Sequence, residues 1–403
     1  MSKSPLARRL DGVSESATLK LNAAVQSMKA QGVDVVNLTA GEPDFNVPDA
    51  AKEAVLDALK ANRSKYTPAA GIPELRQAIA DKTNRQQPAA GAPWKPSNVI
   101  VTNGGKQALF NAFLAMLDPG DEVLIPSPYW LSYPEMVKLA GGIPKFIHAP
   151  FEQGFKITPA QLRSALGPRD AGAASKVKML VLNSPSNPTG AMYTREEYAA
   201  LGEVLESAEN VWVISDEIYD RILLEKTPFC SFLEAAPKLR ERVITVNGMS
   251  KSAAMTGWRI GWSVAPDSVT QGMSTIQGQS TSGINALAQY ASVAALRLPE
   301  SEFASQVESY RKRRDLCLEL LGGASGLKLF KPAGAFYLFV GVGGCLRKGE
   351  DSLAFAERLL AAAKVAVVPG TPFGEPEFVR LSFATDERAL REGCARLAGF
   401  ARS

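Results

Sequence analysis

The residues that build metal centres and covalent scaffolds are scarce here: the 403-residue chain has one histidine, His148, and four widely separated cysteines, Cys230, Cys317, Cys345 and Cys394. With no CxxC pair, neither a disulfide framework nor a Cys/His zinc site is expected, and a reducing, cytoplasmic setting is the default. A surplus of one charge sign is lacking too. Forty-five Lys and Arg against 41 Asp and Glu leave a formal charge of +4, too little to argue for nucleic acid or an acidic membrane surface. No apolar run reaches the ~18 uncharged residues of a membrane span, and the first twenty residues lack the apolar core of a secretion signal. What is present is 46% hydrophobic residues with 33 glycines and 26 prolines, enough for a soluble fold of two domains with a cofactor-sized site.

Short apolar segments recur at NVIVT (98–102), DEVLIP (121–126), VKMLVL (177–182), VWVIS (211–215) and RVITV (242–246). Helical patterns lie between them, such as Lys106 to Leu117 before the stop at Asp118-Pro119-Gly120. This alternation predicts an α/β fold whose large domain has a mostly parallel central sheet covered by helices. Ahead of it, helices are predicted over Ala17 to Ala30, Asp49 to Lys60 and Glu74 to Lys82, with a short strand in VDVVNL. The breaker-rich QQPAAGAPWKPS (86–97) reads as a surface excursion, and RKRR (311–314) as a solvated helix face. The C-terminal part resumes with AFYLFV, a helix near Ser352 to Ala363, VAVVPG, FVRLSFA and a last helix. A lone N-terminal helix and strand cannot bury their own apolar face, so residues 1–45 are expected to join 301–403 in a smaller α+β domain beside a large domain of 46–300.

Ligands of open α/β sheets bind beyond the carboxyl ends of the strands, so the polar residues that follow the apolar runs are the candidates for chemistry. Gly104-Gly105-Lys106 opens a helix and offers free backbone N–H groups to an anion, although a tight turn needs the same glycines. Asn187 sits between Pro185 and Pro188 in a stiff loop that suits a fixed hydrogen-bond donor or a plain turn. Asp216, three residues ahead of Tyr219, needs a proton donor or a cation if it is buried. Lys251, between Ser250 and Ser252 and eight residues before Arg259, is an ion-pair member, an anion ligand or an amine that forms a Schiff base. Trp130 offers a flat face for packing or for stacking on a planar ring. His148 reads as a surface or strand-edge residue. An anion cradle, a stacking ring, an acid and a reactive amine together suit a planar phosphorylated aldehyde, and pyridoxal phosphate meets all four demands.

The motifs LTAGEPDF (38–45), KYTPAAGIPELR (65–76), VTNGGKQALFNAF (101–113), SPYWLSYPEM (127–136), NSPSNPTGA (183–191), SDEIY (215–219), NGMSKSAAMTGWRIGW (247–262), PAGAFYLF (332–339) and FVRLSFA (378–384) follow one another along nearly the whole chain. In this order they resemble the fold-type I pyridoxal-phosphate aminotransferases, in the bacterial-type aspartate aminotransferase branch of class I/II. The resemblance implies that Lys251 carries the cofactor and moves the substrate proton, that Asp216 pairs with the pyridine nitrogen, and that Tyr219 and Asn187 hydrogen-bond the ring oxygen. It implies that Trp130 stacks on the ring, that Gly104, Gly105, Ser250 and Arg259 hold the phosphate, and that Tyr66 reaches the phosphate of a neighbouring subunit, which requires a homodimer. For substrate, it implies Arg380 and Asn187 on the α-carboxylate, Gly41 as a backbone donor, and Lys106 with the hydroxyls of Ser16 and Thr18 on the distal carboxylate.

The activity implied is ping-pong transamination, through pyridoxamine phosphate, between aspartate or glutamate and 2-oxoglutarate or oxaloacetate. Prephenate, aromatic or neutral amino-acid transamination is the alternative. A regulator is disfavoured because no segment ahead of the motifs could bind DNA, and a non-catalytic homologue because Lys251, Asp216 and Arg380 are all present. Two departures stand out. Relatives that aminate prephenate carry a basic residue before Pro-Ser-Ala-Thr, where this chain reads Ser14-Glu15-Ser16-Ala17-Thr18, which is expected to weaken prephenate binding. In QSTSGIN, Ser282-Gly283 stands where relatives have Ser-Asn-Pro or Ser-Pro.

Overall fold

Short, nearly all-apolar strands account for the centre of the molecule, seen in a computed structural model that describes residues 6–14, 17–167 and 176–402. The strands, in chain order, are β1 (Val36–Asn37), β2 (Val99–Asn103), β3 (Glu122–Ser127), β4 (Ile143–His148), β5 (Val177–Asn183), β6 (Trp212–Asp216), β7 (Val243–Gly248), β8 (Ile260–Val264), β9 (Lys328–Leu329), β10 (Tyr337–Gly341), β11 (Val365–Ala366), β12 (Val368–Pro369) and β13 (Phe378–Ser382). Seven of them form one sheet in the order β2-β8-β7-β6-β5-β3-β4. Neighbours from β7 through β6, β5 and β3 to β4 are parallel, whereas β8 runs antiparallel to both β7 and β2. The strand β5 is buried at five of its seven positions, as a strand covered on both faces must be.

Helices α1 (Ala17–Ala30), α2 (Asp49–Lys60), α3 (Pro73–Gln86) and α4 (Gly105–Met116) lie where the sequence predicts them, α3 running four residues further than expected. Apolar side chains pack on each side of the large sheet, one set around Leu180, Val213 and Trp262 and the other around Ile125, Val181 and Ile214. A separate cluster joins β1, β10, β13 and the helices Ser301–Leu321, Ser352–Ala363 and Glu387–Ala401. The strand β1 pairs in parallel with β11, so the N-terminal segment is tied to the C-terminal one, and β12-β13-β10-β9 form a second, four-stranded sheet.

Some expectations are corrected. The strands β4 and β8 are absent from the sequence reading. On β4 only Ile147 is buried, since it is an edge strand, and β8 lies inside a motif whose polar neighbours mask its apolar run. The 86–97 stretch is no simple surface excursion: Trp94 is buried, donates to Gln87 Oε1 at 2.9 Å and packs under the Arg240 guanidinium. The run Arg311-Lys312-Arg313-Arg314 is not a solvated face. Four consecutive helical residues cover most of the circumference, and Arg314, 2% exposed, reaches Glu225, the Leu224 carbonyl and the Pro332 carbonyl. His148 sits on the exposed edge strand as expected, where its Nδ1 lies 3.2 Å from Glu375.

Candidate active site

The carboxyl ends of β2, β5, β6 and β7 open at one end of the large sheet, and a cleft of about 370 Å³ lies there, lined also by Tyr337 of β10 and Arg380 of β13. Register decides one wall. Asn103 at the end of β2 pairs with Ile260 at the start of β8, which sets Arg259 against Gly104. Gly104 has φ +80°, and a Cβ there would lie 2.5 Å from Arg259 Nη2, while a Cβ on Gly261 would lie 2.2 Å from the Gly105 nitrogen. Only glycine fits at either place. Arg259 donates to the Thr256 and Asn103 carbonyls, so its charge is fixed beside the first turn of α4, whose leading N–H groups have no intrahelical partner.

Lys251 follows β7 through the turn at Gly248, and its ammonium donates to the Gly41 carbonyl at 2.5 Å. Burial pulls its pKa down to about 8 against the opposing charge of Glu42, with Arg380 and Arg259 lowering it further. Asp216 ends β6 and is buried; Tyr133 donates to its Oδ2 at 2.6 Å and the Ile218 N–H to its Oδ1 at 3.3 Å. Burial outweighs those donors and pushes this carboxyl up to about 6. An acid in that condition is short of positive charge.

Arg380 is 3% exposed. One Nη donates to Asn187 Oδ1 at 2.8 Å and the other to the Thr39 carbonyl at 3.2 Å, the Tyr337 ring lies 4.3 Å from the guanidinium carbon, and Nε has no partner among the described residues. Asn187 is held in turn by its own N–H donating to Asn183 Oδ1 at 2.9 Å. The Tyr219 hydroxyl lies 2.9 Å from that of Tyr337, and burial holds the Tyr219 phenol well above its ordinary pKa. Lys106, exposed at the mouth, has its ammonium 5.1 Å from the Trp130 ring centroid. Crowding by the cleft walls and then the charge of Arg259 pull its pKa below the usual lysine value.

The structure therefore gathers Gly41, Gly105, Lys106, Trp130, Asn187, Asp216, Tyr219, Ser250, Lys251, Arg259 and Arg380 around one cleft, with Gly104 beneath Arg259. Tyr66 is elsewhere, fully exposed on its own chain. Ser16 and the side chain of Thr18 lie outside the described residues. Tyr133 and Tyr337 have no role in the sequence reading, though both sit inside recognised motifs; a tyrosine beside an apolar strand gives no local sign that its hydroxyl meets an acid or another phenol. Gly283, one of the two departures, has a reason: a Cβ there would lie 2.6 Å from the Thr67 carbonyl, next to Tyr66.

A cleft lined by a depressed lysine and a buried acid, with a glycine-containing helix start beside them, is the kind of site built by enzymes that handle amino groups on a phosphorylated carbonyl cofactor. The chain matches the aminotransferase class I and II family over residues 33–397, and it belongs to that family. It is 44% identical over 402 residues to the aspartate/prephenate aminotransferase of Cereibacter sphaeroides, covering 98% of each chain. The identity is 46% over 396 residues, again 98% of each, to that of Thermus thermophilus. Among solved structures, it resembles the aspartate aminotransferase of Rhizobium meliloti with a TM-score of 0.92 at 39% identity, covering 99% of both chains. It resembles the Thermus thermophilus aspartate aminotransferase with maleate with a TM-score of 0.91 at 44% identity, covering 99% of this chain and 100% of that one.

Proposed function

We infer that this chain is a pyridoxal-phosphate-dependent aminotransferase that moves the amino group between aspartate or glutamate and 2-oxoglutarate or oxaloacetate. The observation that carries this reading is that Lys251, Asp216 and Arg380, whose Nε has no partner among the described residues, line one cleft. The residues fit the cofactor. Asp216, raised to about 6 by its burial, suits a protonated pyridine nitrogen that would hold it ionised, and Gly104, Gly105, Ser250 and Arg259 suit a cradle for a phosphate at the start of α4. When bound, pyridoxal phosphate supplies an aldehyde carbon to carry the amino group and an electron-withdrawing ring to stabilise charge at the substrate α-carbon.

The chain's own groups divide the remaining work. Lys251, with its pKa pulled down to about 8, has a substantial neutral fraction at mildly alkaline pH and is the base for the α-carbon proton. Arg380 and Asn187 orient the α-carboxylate, since a guanidinium fork matches two carboxylate oxygens. Lys106 at the mouth, carried on the first turn of α4, meets a second, distal carboxylate. The maleate held by the Thermus relative's structure is a four-carbon dicarboxylate, which suits the same pairing of charges. A cleft of about 370 Å³ with one such clamp admits donor and acceptor in turn, which is ping-pong order. Prephenate is a second acceptor reading, favoured by the names of the Cereibacter and Thermus relatives and opposed by Ser14 in place of the basic residue and by the added negative charge of Glu15.

A homodimer completes this proposal. Tyr66 is fully exposed, and Leu56 and Leu59 of α2 are exposed apolar residues, as a surface covered by a second copy would be. The proposal also divides the chain into 46–300 and a smaller unit of 1–45 with 301–403, and places it in the cytoplasm. The test is a panel of kcat/KM values for aspartate, glutamate, alanine and tyrosine donors in the parent, Lys251→Ala and Lys106→Ala. Lys251→Ala should lose turnover with every donor. Lys106→Ala should cost aspartate roughly 10–100-fold, the loss of one charge-assisted contact, and alanine almost nothing. Equal losses for both donors would refute the role of Lys106.

A further inference from the structure

Behind the cleft lies a buried polar junction that the chemistry above does not use. Asp220, one residue past Tyr219, is 3% exposed, and its Oδ2 accepts from Gln86 Nε2 at 2.8 Å, from Asn247 Nδ2 at 3.0 Å and from the buried Lys82 ammonium. Asn247 Oδ1 then accepts from the Gly248 N–H at 2.7 Å. Gly248 opens the turn that carries Ser250 and Lys251, and it is wedged there, since a Cβ would lie 2.7 Å from the Ile260 carbonyl. One carboxylate oxygen thus ties together α3, the Asp216–Asp220 turn and the turn that presents Lys251. None of Lys82, Asp220 or Asn247 lines the cleft.

We propose that Lys82, Asp220 and Asn247 are positioning residues that fix the Lys251 turn relative to Asp216. A buried ion pair gives a fold little that apolar packing of the same volume would not. What it adds is direction. The carboxylate sets the plane of the Asn247 amide, and that amide pins the Gly248 N–H, so the path of the chain into Lys251 is determined by hydrogen-bond geometry as well as by sheet pairing. Lys82 supplies the charge that keeps Asp220 ionised: despite its burial, the carboxyl stays below its ordinary pKa, with the Lys82 charge the largest of the influences that lower it. The proposal rests on the reading of Lys251 as the cofactor lysine.

The variants are Asp220→Leu, Asn247→Ala, Lys82→Met and the double Lys82→Met/Asp220→Asn, each checked for folding by circular dichroism. In the cofactor-loaded enzyme, Asp220→Leu and Asn247→Ala should lose roughly tenfold or more in kcat, with the aspartate KM within about twofold because Arg380 and Lys106 are untouched. In the cofactor-free chain, the rate at which added pyridoxal phosphate becomes borohydride-trapped on Lys251 should fall with them, and its pH midpoint should move. The double variant keeps an oxygen acceptor for Asn247 without an unpaired charge, and should recover kcat to within about threefold of the parent where Lys82→Met alone does not. If Asp220→Leu does not fold, Asn247→Ala and the double variant decide. Variants that lose only thermal stability, with parental kcat and trapping midpoint, overturn the proposal. A parent chain that traps nothing on Lys251 overturns the cofactor reading itself, a result distinct from variants that trap as the parent does.

Discussion

Replacing Arg380 with methionine should remove activity while leaving folding almost unchanged. A guanidinium has five N–H donors, of which one goes to Asn187 Oδ1 at 2.8 Å and one to the Thr39 carbonyl at 3.2 Å, while Nε is unpartnered among the described residues. Among the described residues, no carboxylate forms an ion pair with it. The fork is therefore set for an incoming carboxylate, and two charge-assisted hydrogen bonds of about 1.5–3 kcal/mol each come to about 3–6 kcal/mol. Divided by about 1.4 kcal/mol per factor of ten, that is a loss of roughly 10²–10⁴ in kcat/KM for aspartate. Stability follows a different sum. Methionine relieves the desolvation of a buried cation, several kcal/mol, and forfeits two hydrogen bonds and the Tyr337 face, so the net change should stay within about 2 kcal/mol. The assay is single-turnover absorbance of the aspartate half-reaction beside a urea unfolding curve. A loss under tenfold would refute the clamp, and a collapsed unfolding midpoint would show that Arg380 is a structural residue.

Two further outcomes follow from the same geometry. The folded pKa of Lys251, about 8, lies below its unfolded value, so the unfolded chain binds more protons between about pH 8 and 10.5 and the stability of the cofactor-free parent should rise through that window. Lys251→Met should therefore exceed the parent by at most about 3 kcal/mol at neutral pH, with the gap closing by about pH 10 in urea titrations; a constant gap would contradict the shift. Tyr66→Phe should weaken pyridoxamine phosphate binding roughly tenfold, the loss of one hydrogen bond to a charged group, without altering the unfolding midpoint. Parental affinity after that substitution would show that Tyr66 does not reach a partner's site.

Much of the site is legible locally because chemistry follows strands. Asn187, Asp216 and Lys251 each come shortly after an apolar run, and β5, β6 and β7 end one or two residues past those runs. Gly104 is readable as part of a turn before a helix, and its positive φ agrees. Tyr133 and Tyr337 are not readable, because a phenol's partner is chosen by packing across the chain: Tyr133 meets Asp216 from 83 residues away and Tyr219 meets Tyr337 across 118. The burial of Arg314 is hidden for the opposite reason, since a run of like charges looks solvated until the carbonyls that receive it are in place.

Periodicity and punctuation in the sequence by themselves determined the alternation of strand and helix, the α/β class and the motifs that mark the family, because each depends on neighbours a few residues apart. Tertiary structure alone decided the meeting of distant groups. Antiparallel β8, inserted between β2 and β7, sets Arg259 against Gly104, and the second sheet carries Arg380 to Asn187 across 193 residues. The depressed lysine and the raised acid were likewise undetermined until the fold closed over them, because a pKa answers to desolvation and to charges brought near, and neither is written in local spacing.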